Sequence, residues 1–194
     1  MTHIRVNPQS MTQYGNDATQ IFSSMHNELT NLVDMVVTVQ FFGPNAVDFK
    51  TRCGTLASDF ARNLHRDISQ MAEAVRVSVS NIQGSLGGAT VNIAVEGKEI
   101  TAPAVASVDY VDVDTTALEG LKPDVTAKFT ALNGLLDDHL NRLIQTDWAG
   151  NAKEQAVATV SSFTTAAKNR CVEAQESINK FVDEQLTAVT TADV

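Results

Sequence analysis

The chain has 194 residues, 43% of them hydrophobic and 19% charged, with only 4 prolines and 10 glycines. That is enough to bury a sizeable core and to sustain long regular elements. A formal net charge of −9 and a pI near 4.8 argue against nucleic acid as a partner, which requires a basic stripe that the sequence does not show, and no run approaches the ~20 consecutive apolar residues of a membrane span.

The opening residues Met1 to Pro8 lack the apolar centre of a general secretory signal. The expected location is therefore the cytoplasm, or the exterior by a route that needs no signal peptide. The first periodic segment carries Ala18, Phe22, Met25, Leu29, Leu32, Val36 and Val39 at alternating steps of four and three. Such a seam lies along one face of a helix packed nearly antiparallel to a neighbour. It predicts a helix over about residues 9–40. Phe41-Phe42-Gly43-Pro44 follows. Glycine permits the positive φ that ends a helix, and proline suits the first turn of the next, so the chain must fold back on itself here. The second seam runs Phe49, Cys53, Leu56, Phe60, Leu64, Ile68, Met71 and Val75, predicting a helix over about 45–83.

Residues 84–114 break this pattern. Gly84-Ser85-Leu86-Gly87-Gly88 ends the helix. Thr90 to Val95 then alternates with period two before Glu96-Gly97-Lys98, the pattern of a β-hairpin with a glycine turn. A second extended stretch covers Val105 to Val113. This connector has two readings: a crossover that lets the helical pairs dock, or a β-arm whose open edges recruit the same arm of another subunit.

The third seam, Leu118, Leu121, Val125, Phe129, Leu132, Leu136, Leu140 and Leu143, predicts a helix over about 115–146. The fourth, Ala156, Val160, Phe163, Ala167, Cys171, Ala174, Ile178 and Phe181, predicts one over about 151–189. Asp147-Trp148-Ala149-Gly150 joins them. A shift of 107 residues superposes the two halves without a gap. Phe22 meets Phe129, Leu29 meets Leu136, Phe41 meets Trp148, Gly43 meets Gly150, and Leu64 meets Cys171. Two amphipathic helices can match by chance, but chance does not also align the aromatic-x-Gly corner. The fold expected is all-α: two long antiparallel helical hairpins forming a four-helix bundle, with a small β-hairpin or extended arm between them. The divisions are 1–83, 84–114 and 115–194.

Each corner aromatic, Phe41 or Trp148, is either a plug over the end of the bundle or a contact for a partner. A ring of that size at a hairpin tip is rarely buried in full. Phe41-Phe42-Gly43-Pro44-Asn45-Ala46-Val47-Asp48-Phe49 resembles the loop of the WXG family, the helical hairpins handled by type VII secretion systems. In that family the corner reads Trp-x-Gly, often followed by Pro-Asn/Asp-Ala-x-x-Phe. Phe41 stands in place of the tryptophan, whereas Trp148-Ala149-Gly150 keeps both named residues. The resemblance covers both hairpins and not the connector. It implies a family dimer fused into one chain, an actinobacterial or Gram-positive source, and a role as an exported substrate, assembly subunit or adaptor. The family's export signal, Tyr-x-x-x-Asp/Glu, follows the second helix of a hairpin. Here the last helix runs out through Gln185 to Val189 without a tyrosine, and the match is Tyr110 to Asp114, inside the connector.

No residues converge on catalytic chemistry. His3, His26, His65 and His139 lack the spacing of metal ligands on one helix face. His139 aligns with the seam residue Leu32, as a partly buried core histidine would. Cys53 and Cys171 fall on apolar seams and read as small buried hydrophobes. A non-enzymatic interaction protein is expected, without cofactor, metal or small-molecule substrate, binding protein partners and forming homo-oligomers. The alternative is a structural subunit that assembles into a ring or filament through the connector.

Overall fold

A computed structural model describes residues 3–88 and 90–192. Four long helices pack against one another: α1 (Pro8–Thr38), α2 (Pro44–Leu86), α3 (Thr115–Gln145) and α4 (Asn151–Ala192). Four two-residue strands accompany them: β1 (Arg5–Val6), β2 (Phe41–Phe42), β3 (Asp112–Val113) and β4 (Trp148–Ala149). The all-α bundle expected from the seams is the fold observed.

The helices start where the sequence supplies caps. Asn7 Oδ1 accepts the N–H groups of Gln9 and Ser10 at 3.0 and 3.2 Å. Asp114 Oδ1 accepts those of Thr116 and Ala117 at 2.9 and 3.1 Å. Each cap satisfies two of the donors a helix start leaves unpaired. Most seam residues are buried, Phe22, Leu29, Leu64, Phe129, Leu136 and Ile178 among them. Leu56, Leu140, Phe163 and Phe181, at the margins of their stripes, are only half-buried.

The chain forms two compact units. One comprises Met1–His26, Leu64–Gly97 and Asn133–Asn169; the other comprises Asn27–Asn63, Lys98–Leu132 and Arg170–Val194. Each takes part of all four helices, so each core is built from both sequence repeats. In the first unit Phe22 packs at a tilt against His139, with ring centroids 4.6 Å apart. In the second Phe60 meets Phe129 at 5.2 Å. Cys53 and Cys171 are both buried, and burial pushes the Cys53 pKa up to about 12.

The connector takes the extended form, not the hairpin. Among the described residues between 90 and 111 there is no strand. The period-two pattern is nonetheless realised: Ile93 is buried, Val91 and Val95 are half-buried, and Asn92 and Ala94 face out. The inward face lies on helices. Arg76 Nη2 donates to Ile93 O at 2.6 Å, and Ala94 N donates to Thr19 Oγ1 at 3.0 Å. A two-stranded hairpin standing alone is marginal in water, whereas the helices offer an apolar floor and side-chain partners for backbone polar groups.

Candidate functional site at the hairpin tips

Each tip is closed by the strand that precedes the first helix of the other repeat. β2 pairs antiparallel with β3, Phe41 opposite Val113 and Phe42 opposite Asp112. β4 pairs antiparallel with β1, Trp148 opposite Val6 and Ala149 opposite Arg5. Every one of these positions maps onto its counterpart by the same 107-residue shift. The flanking backbone bonds repeat as well. Asn7 N donates to Asp147 O at 2.9 Å and Asp114 N to Gln40 O at 3.3 Å. Gly43 and Gly150 turn the corners at φ 121° and 119°, a region only glycine enters freely. A Cβ on Gly43 would lie 3.1 Å from Val111 Cγ2.

This closure buries the corner aromatics. Phe41 is 2% exposed and Trp148 3% exposed, more completely than rings at a tip usually are. The reason is the strand laid across each. Both rings are buried as plugs would be, and Phe41 also lines the cavities beside its tip.

The structure brings four of the sequence candidates together in one unit. Tyr110, Asp114, Phe41 and Gly43 all lie at the first tip. Tyr110 packs its ring 6.0 Å from that of Phe42 yet remains 57% exposed, and Val111 beside it is 73% exposed. The Asp114 carboxylate serves as the α3 cap. Trp148 and Gly150 sit at the second tip, in the other unit. Sequence reasoning missed Ile4 and Val111, the exposed apolar residues beside the corner glycines and themselves 107 apart. Carrying the repeat back past Ala18 to Asn7 and Val6 would have exposed them.

The tips differ in how they are fastened. At the second, Asp147 accepts from Arg5 at 2.8 Å and from Asn7 at 3.2 Å, and its N–H donates to Ser10 Oγ at 2.9 Å. Lys153 donates to the carbonyls of Ile144 and Thr146 at 2.7 and 2.8 Å, capping α3. The counterparts at the first tip are Gln40, Asp112, Asp114, Ala117 and Ala46, which cannot reproduce the ion pair or the lysine cap. Instead the first tip carries an open groove of about 670 Å³, lined by Phe42, Gly43, Pro44, Val111, Val113 and Val189 among others.

Two polar features lie apart from the tips. Tyr14 Oη and His139 Nε2 are 2.9 Å apart in the core. Burial holds the phenol protonated far above its usual range and lowers His139 to about 4. No group of three or more His, Cys, Asp or Glu able to hold a metal ion occurs among the described residues. No helix there is long and apolar enough to cross a membrane.

The fold and its tips define a duplicated helical hairpin with an open, apolar first tip. No family model, no curated protein and no solved structure matches the chain.

Proposed function

We propose that the protein is a non-enzymatic interaction protein resembling a WXG dimer fused into one chain, acting as a substrate or adaptor associated with type VII secretion. It engages its protein partner, or another copy of itself, through the first hairpin tip. The observation that carries this reading is the exposed Tyr110–Val111 pair resting on Phe42 and Gly43 beside an open apolar groove. Exposed apolar side chains that border a groove mark contact surfaces more often than singly scattered ones do. The reciprocal strand exchange supports the fused-dimer part of the reading, since each hairpin completes the other's tip. The second tip acts as an internal comparison: the same architecture, closed by an ion pair and a lysine cap.

The test is site-specific photo-crosslinking in the source cells. A photoreactive amino acid at Val111 should give a discrete adduct with one protein, while the same group at the exposed helix residue Val172 should give none. Adducts of equal pattern from both positions, or none from Val111, would remove the first tip from consideration.

A further inference from the structure

Beside the first tip, under residues 103–108 of the connector, lies a crevice of about 190 Å³. Its walls include Val37, Phe41, Val47, Val105 and Val108, and one cation lines it, Lys50. Lys50 is only 6% exposed. Its Nζ stands 4.8 Å from the centroid of the Phe42 ring, and among the described residues it makes no hydrogen bond or ion pair. An aromatic face attracts an ammonium, but it accepts none of the three N–H bonds that Nζ offers. The side chain is buried, but its Nζ is not shut away from solvent, so the ammonium stays open to an incoming anion. The neighbouring Arg52 does not share the task, being engaged with Asp48, Glu184 and the Phe181 ring. The repeat again provides a comparison: the position 107 residues on is Val157, so the lysine belongs to the first hairpin alone.

We propose that Lys50 and this crevice bind a single carboxylate carried on a short aliphatic stem. The one ammonium suits a monoanion, and the valine and phenylalanine walls suit a hydrocarbon stem and disfavour a dianion that would need further donors. At ~30 Å³ per water, the space holds roughly six waters' worth of ligand, the size of an acid of about four carbons. A free short-chain acid and the terminal carboxylate of a peptide ending in an aliphatic residue present the same chemistry. Desolvation already holds the Lys50 ammonium below the usual lysine range, and a bound carboxylate would reverse that. The site stands independently of the partner reading above.

The test uses the full chain, titrated with butyrate while the methyl groups of Val47 and Val105 in the crevice wall are followed by NMR. Saturable shifts are expected with butyrate and not with butyramide. Lys50→Met, which keeps most of the stem, should weaken binding at least about tenfold. Val108→Phe, which fills the crevice and leaves the lysine, should do the same; helical circular dichroism verifies the fold of both. A short peptide ending in valine as the free acid, run beside its C-terminal amide, separates the sources. Tighter binding of the free-acid peptide than of butyrate assigns a peptide terminus, and equal or weaker binding assigns the free acid. Absence of any saturable shift, or unchanged binding in Lys50→Met, overturns the proposal.

Discussion

Tyr14 Oη lies 2.9 Å from His139 Nε2 in the core of one unit, and their counterparts 107 positions away, Leu121 and Leu32, are buried leucines of the other unit. Donation by the hydroxyl satisfies both groups at that contact; the reverse would orphan the O–H. The imidazole proton is then on Nδ1, which is buried without a hydrogen-bond partner. Tyr14→Phe should therefore cost about 1–3 kcal/mol, because it strands the second ring nitrogen as well. The double change Tyr14→Leu with His139→Leu gives both positions the leucines found at their counterparts in the other unit, and should be far less harmful than the sum of the single changes. Urea denaturation of the four chains measures this coupling.

The same histidine predicts an acid dependence. Its folded value, about 4, is depressed from an ordinary 6.5, so the unfolded chain binds the proton more readily. Its contribution is complete above pH 6.5, declines as pH falls, and is lost below about pH 4. The difference in unfolding free energy between wild type and His139→Leu should move by about 3 kcal/mol across that window, the carboxylates cancelling in the comparison. A difference that stays flat from pH 7 to pH 4 contradicts the assignment.

Gly15 should resist replacement although it lies within α1. Alanine is the better helix former by about 1 kcal/mol, but its Cβ would stand 2.6 Å from Asn92 O. Gly15→Ala should therefore destabilise by about 1–3 kcal/mol and speed hydrogen exchange at Ala94 N, whose bond to Thr19 Oγ1 holds the connector down. Faster exchange confined to residues near 94 marks the connector as the element released.

The tips predict a division between plugs and surface. Phe41→Ala or Trp148→Ala should cost about 3–5 kcal/mol, as for any large buried ring. Val111→Ser, at an exposed site, should stay within about 0.5 kcal/mol. Trp148 is the sole tryptophan, so its emission should be blue-shifted in the native chain and move red on unfolding, reporting directly on closure of the second tip.

Much of this architecture was legible in the sequence, for identifiable reasons. The seams from Ala18 to Val36 and from Leu118 to Leu143 name a buried helix face because the spacing of apolar residues records which side meets a neighbour. Gly43 and Gly150 name the corners because few residues accept their backbone angles. The connector was half legible. Alternation through Val91, Ile93 and Val95 records that one face is covered, but not that helices rather than a second strand cover it. The strands β1 and β3 left no local signal, since two residues cannot show a period. Their partners are more than 60 positions away along the chain at either tip. His139 stood out on its seam, while Tyr14 did not, because an aromatic on an apolar stripe reads as ordinary core.

The central claim is that each hairpin supplies the strand that closes the other's tip. Cutting the chain tests it most directly. A protease site inserted between Gly87 and Gly88, both exposed with open space around them, allows the connector to be severed in the folded protein. Light scattering after cleavage should find one species of undiminished mass, with helical circular dichroism and Trp148 emission unchanged. Separation into two half-mass species that keep their helices would show that the hairpins do not depend on each other.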